Sequence, residues 1–175
     1  MSYSEPLAKI SLLRVLGLLV GFVLLVWWAL GMTANGDPLW FWSRFDATPS
    51  AITLYYRGQT VEFRPGDRGF SDLTAAFNTA FSARRSWSTL GVSPESADEY
   101  RRQEMALAFH YPQPVPIHSP YRFGPQRGLF LPLTGRHAEV HPVWGLDGDT
   151  VVPGAMQLGS VEDLKRVLAD LGYGM

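Results

Sequence analysis

The sequence predicts an α+β domain carried behind a single membrane-spanning helix. Three patterns predict it. Residues 12–32 (LLRVLGLLVGFVLLVWWALGM) form one apolar block. Short segments between residues 52 and 144 alternate apolar and polar side chains with a period of two, as half-buried strands do. Stretches at 71–81 and 160–171 repeat their apolar residues every three or four positions, as a helix lying on a core does. The order reads ββ, αα, βββ, α, which suits a two-layer domain with helices on one face of a mainly antiparallel sheet. The chain divides into a short cytoplasmic tail at 1–11, a transmembrane helix at 12–32, an aromatic juxtamembrane linker at 33–49 and an extracytoplasmic domain at 50–175.

Crossing about 30 Å of hydrocarbon takes roughly 20 apolar residues, each rising about 1.5 Å along a helix. The one charge in the block, Arg14, lies near enough to its start to extend back to the headgroups. Trp27 and Trp28 fall near its end, with Trp40 and Trp42 just beyond, where amphipathic rings settle at the membrane–water boundary. Asp37-Pro38 ends the helix, since proline cannot continue the hydrogen-bond ladder and restricts the residue before it. Lys9, Arg14 and the terminal amine lie on the short side against Glu5 alone, whereas Arg44 is accompanied by Asp37 and Asp46 after the block. That bias puts the N-terminus in the cytoplasm and the domain outside. A cleaved signal peptide is the competing reading, and Ala29-Leu30-Gly31 is a tolerable cut site. The length of the block and its paired tryptophans favour retention. A core helix is disfavoured because the segment is apolar all round. Gly17 and Gly21 share a helix face and let a second helix approach closely; the bland alternative is two tolerated glycines.

Composition sets further bounds. The net charge of −1 lacks the basic excess of a nucleic-acid binder. The absence of cysteine excludes disulfides, thiolate zinc sites, cysteine-ligated clusters, covalent haem and lipidation at cysteine.

Within the domain, Ile52, Leu54 and Tyr56 alternate with polar neighbours, as do Val61 and Phe63. Gly58-Gln59 between them predicts a type II′ turn. Leu73, Ala76, Phe77, Ala80 and Phe81 predict a helix with Ser71 as its cap. Ser93-Pro94 begins a second helix, acidic early and basic late. Met105 to Tyr111 predicts a third strand, with Met105, Leu107, Phe109 and Tyr111 on one face. The Pro-rich segment 111–127 predicts an irregular extended arm. Leu129, Leu131 and Leu133 suggest a fourth strand, Glu139 to Trp144 a fifth and Val151-Val152 a short last one. Pro132 and Pro142 point those strands toward a sheet edge. Ser160 caps a closing helix whose buried face is Val161, Leu164, Val167, Leu168 and Leu171, ended by Gly172.

Chemistry is sparse. His137, Glu139 and His141 alternate along the predicted fifth strand, and their wide spacing makes them a weak metal set; a solvated edge is the simpler reading. The sequence has no nucleophile elbow, no phosphate loop and no calcium loop, so no catalytic residue, cofactor or metal is expected. Arg84-Arg85 and Arg101-Arg102 read as solvated faces or as contacts to an acidic surface. In the Pro-rich arm, Tyr111, Tyr121, Arg122 and Phe123 are residue types favoured at interfaces, so the arm is a candidate partner contact. The expected function is a non-catalytic accessory or assembly subunit, with the bilayer and other membrane subunits as partners. A ligand- or metal-binding sensor domain and a membrane-tethered hydrolase are the alternatives.

Overall fold

The computed structural model describes residues 11–84, 86–121 and 123–174. The first helix, α1 (Leu12–Asn35), closes on Gly36, whose left-handed backbone lets its amide donate to the Met32 carbonyl at 2.8 Å. It runs three residues past the expected end because Thr33 and Asn35 turn their side chains back onto the Ala29 and Gly31 carbonyls. Its length and mean hydropathy of 2.4 suit a membrane span, and a signal sequence in this position has the same properties.

The domain is an α+β fold on one seven-stranded sheet, ordered β2-β1-β4-β5-β6-β7-β3 and antiparallel throughout. The strands are β1 (Ala51–Tyr56), β2 (Gln59–Phe63), β3 (Ser86–Ser88), β4 (Ala106–Val115), β5 (Gln126–Pro132), β6 (Pro142–Asp147) and β7 (Thr150–Gln157). Between them lie α2 (Phe70–Ser82) and α3 (Pro94–Gln103), and α4 (Glu162–Asp170) closes the chain.

The larger core lies where α2 and α4 cover one sheet face. Phe77, Phe81, Leu164 and Leu168 meet Leu54, Leu107, Phe109, Leu129 and Leu131 there. The opposite face carries a smaller core of Tyr100, Ala106, Ala108, Phe130, Trp144 and Leu146, capped by α3. The sheet centre is thus buried on both sides, and α3 adds a partial third layer to the two expected. Met105, Leu107, Phe109 and Tyr111 do share one face.

Several boundaries differ from expectation, each for a physical reason. The first hairpin pairs Tyr56 with Gln59, so its turn is Arg57-Gly58 and not Gly58-Gln59. Both turn residues have positive φ, 51° and 76°, the type I′ geometry that matches strand twist. Gly69 rather than Ser71 precedes α2, and Ser71 lies inside the helix. The Ser93 hydroxyl does accept from the Ser96 amide at 3.2 Å, capping α3. Strand β4 continues through Pro112 and Pro114 to Val115, which shortens the irregular arm to residues 116–125. The β4–β5 register slips between His110 and Val115, and that bulge spares both prolines a ladder donor.

Pro132 and Pro142 do not mark an edge, since β5 and β6 lie inside the sheet. The prolines sit at strand ends, outside the β5–β6 ladder of residues 128–130 with 144–146. Strand β7 is longer than expected because a register shift at Pro153-Gly154, with Gly154 at φ 92°, interrupts its pattern without ending it. Strand β3 is too short to show a period. Ser160 accepts from the Glu162 amide at 3.2 Å at the start of α4. Gly172 ends that helix, with its amide on Ala169 and the Tyr173 amide on Leu168.

Candidate functional site

The residues between α1 and the sheet are fastened at both ends. At the α1 end, Trp28 Nε1 donates to the Pro38 carbonyl at 2.9 Å, and the chain turns back so that Trp40 lies over Gly31. A Cβ at Gly31 would stand 2.2 Å from the Trp40 indole, so only glycine admits this packing. Trp27 meets Trp40 edge-on with ring centroids 4.7 Å apart. At the domain end, Phe45 is buried against Phe81, Phe77 and Tyr111. Its amide donates to Ser82 Oγ at 2.8 Å, and that hydroxyl donates back to the Phe45 carbonyl. Asn78 holds the Ala47 carbonyl at 3.1 Å.

The loop at 116–125 closes over this junction. Ile117 and Ser119 are buried within it. His118 Nδ1 lies 3.0 Å from the Asp37 carboxylate, tying the loop to the first residue beyond the α1 cap. Tyr121 stacks on Trp87, and Phe123 meets the same ring edge-on. Trp87 in turn rests on Gly154, where a Cβ would come within 2.3 Å of it.

Arg84 knots the three parts together. Its guanidinium donates to the Ser43 and Phe81 carbonyls, both at 2.8 Å, and to the His118 carbonyl. Burial pulls its pKa below the ordinary arginine value. No ion pair among the described residues includes it. Crevices lie beside the knot. One of about 210 Å³ lies between the end of α1 and the loop, with Asp37, His118 and Phe123 in its wall. Another, of about 420 Å³, runs between Trp27, Trp40 and Phe41 on one side and Ser119, Pro120 and Tyr121 on the other, with Arg84 in its wall.

The structure brings together only some of the residues singled out from sequence. Trp27, Trp28 and Trp40 converge at the junction, and Trp42 is exposed beside it. Tyr121 is 41% exposed, but Tyr111 is buried in the larger core and offers no surface to a partner. It stands on the inward face of β4, the face expected to hold Met105, Leu107 and Phe109, so its place in the strand excludes it from the arm's surface. Arg122, like Arg85 and residues 1–10, lies outside the described residues.

The expected strand through His137, Glu139 and His141 is absent. A short 3₁₀ turn spans Ala138–Val140, and His141 has φ 45°, so the three do not share a strand face. Among the described residues no group of three His, Asp or Glu is placed to hold a metal ion. His110 bonds Thr53 Oγ1 at 3.1 Å. A Cβ at Gly17 or Gly21 would meet nothing within 4 Å among the described residues, so that face of α1 is bare.

Sequence reasoning did not single out Gly31, Asp37 or Ser43 as site residues. Their roles come from contacts as far as 81 residues apart along the chain, as between His118 and Asp37. The local signal was the aromatic density around Trp40, which marked the region without its geometry. Among known proteins, no family model, no curated protein and no solved structure matches this chain.

Proposed function

We propose that the protein is a single-pass membrane protein, N-terminus in the cytoplasm, whose extracytoplasmic domain serves as a non-catalytic accessory or assembly subunit of a membrane complex. The observation that carries this reading is the bracing of the junction. Trp40 on Gly31, Trp28 on Pro38 and Asp37 on His118 couple the anchor helix to the domain in one orientation. A free enzyme domain on a tether has no need of such coupling. A subunit that presents one face to neighbours in the same bilayer gains from it, because confinement and fixed orientation raise its effective concentration at the contact. The bare Gly17/Gly21 face supplies a place for a neighbouring helix.

Photo-crosslinking in native membranes tests the reading. A photoreactive residue at Leu24, one heptad beyond Gly17, is expected to give one discrete adduct. The same residue at Leu19, on the opposite side, gives none. A chain that stays monomeric from both positions would refute the subunit reading.

A ligand-binding role draws on a different observation, the crevice of about 420 Å³ beside α1, within the usual range of about 300–1,000 Å³ for small-molecule sites. The hydrolase reading draws on the His118–Asp37 pair, an orienting carboxylate beside an imidazole. Among the described residues no serine hydroxyl hydrogen-bonds that imidazole.

A further inference from the structure

The larger crevice combines features that neither the fold nor the subunit reading requires. One wall is Trp27 of α1 with Trp40 and Phe41; the other is the 116–125 loop through Pro120 and Tyr121. Trp27 belongs to the apolar block itself, five residues before its end, so the crevice opens at the level of the membrane boundary. In that wall sits a cation with no carboxylate partner among the described residues. Arg84 spends three of its five N–H groups on the carbonyls of Ser43, Phe81 and His118, which hold the guanidinium in place. The two left over have no hydrogen-bond partner among the described residues, and apart from those carbonyls the charge meets only the face of the Phe81 ring, 5.0 Å from its centroid. Holding a half-buried charge without a counter-ion is costly, and a planar guanidinium is matched to the oxygens of a phosphate. Asp37, the nearby carboxylate, is engaged by His118 and lines the other crevice.

Resting on the membrane reading above, we infer that this crevice binds the phosphate headgroup of an anionic phospholipid from the surrounding leaflet. Its phosphate oxygens accept from the two remaining Arg84 N–H groups. The glycerol and upper chain region lie along Trp27, Trp40 and Phe41, and the tails stay in the bilayer. The crevice suits a headgroup rather than a whole lipid, which keeps the acyl chains in continuity with the hydrocarbon. Ser119 also lines the crevice, its hydroxyl oxygen accepting from the Tyr121 amide.

The full-length chain, reconstituted in phosphatidylcholine nanodiscs containing one part in five phosphatidylglycerol, provides the test. After release into mild detergent, native mass spectrometry is expected to show one retained phosphatidylglycerol and no retained phosphatidylcholine. S43W fills the crevice mouth from an exposed position while leaving Arg84 in place, and is expected to lower that retention about tenfold. R84Q is expected to do the same; because Arg84 also staples the loop, S43W decides if R84Q fails to fold. Millimolar glycerol phosphate added to lipid-free protein is expected to protect less than the lipid does. Protection equal to the lipid's would mean that the site takes soluble phosphate esters and would overturn the lipid assignment. Equal retention by S43W, or no preference for the anionic lipid, would overturn the site itself. Resistance of the chain to alkaline extraction from the same membranes is read separately, so a failed crevice is distinguishable from a failed membrane anchor.

Discussion

Tyr111 carries its hydroxyl into the larger core, where no described donor or acceptor meets it. Burial there pushes its pKa well above the usual tyrosine value. Removing the hydroxyl as Y111F therefore relieves an unsatisfied group, and is expected to leave stability unchanged or raise it by about 1 kcal/mol in denaturant unfolding. His110 is the converse case. Its half-buried ring bonds Thr53, and burial lowers its pKa despite the opposing fields of Asp149 and Glu62. The unfolded chain then takes up the proton first as the pH falls. Stability at pH 7 is intact and declines below the ordinary histidine value of 6.5. H110Q is expected to flatten the fall in melting temperature between about pH 7 and pH 5. At Gly31 the constraint is space: G31V is expected to expel Trp40 from α1, read by fluorine NMR of fluorotryptophan-labelled protein as a shifted Trp40 signal. An unmoved signal would mean that the indole does not rest there.

Helix α2 shows how one element serves two ends. Its buried Leu73, Phe77 and Phe81 follow directly from the spacing in the sequence, the earlier start adds buried Phe70, and Phe77 stacks on Phe109 of β4 at 3.9 Å between centroids. Truncation as F77A is expected to cost about 3–5 kcal/mol in equilibrium unfolding, since both rings lie where the core cannot collapse around a void. The end of the same helix grips the junction instead, through Ser82 on Phe45 and, just past the Ala83 cap, Arg84 on the loop. Periodicity reveals the first role because packing on a core repeats every helical turn. It is silent on the second, which depends on single polar atoms meeting distant carbonyls. The same contrast explains β4. Its alternation was legible through Tyr111, but the bulge that carries it past Pro112 and Pro114 depends on β5 and has no local signature.

For the whole molecule, the junction couples α1 to the domain. Retention of the full chain in carbonate-washed membranes is expected, with the N-terminal residues intact. Because the chain has no cysteine, single engineered cysteines report its orientation cleanly. One placed in the domain, at exposed Ser93, is expected to react with an impermeant maleimide in intact cells, and one at Ser2 only after lysis. The reverse pattern would invert the orientation, and a chain beginning near residue 32 would remove the anchor. These expectations belong to this scale because no single contact decides them; the hydrocarbon thickness and the charge balance across α1 do.

Residue order alone determined the apolar helix, the α+β class and most strand and helix positions. Each reflects a repeat of apolar side chains with the period of its own backbone geometry, and such a repeat is written locally. Tertiary structure alone decided that β5 and β6 lie inside the sheet, that α3 covers the opposite face, and that Trp40, His118 and Arg84 meet at the foot of α1. Those outcomes depend on residues many positions apart competing for the same space and the same carbonyls, and no local pattern records who wins.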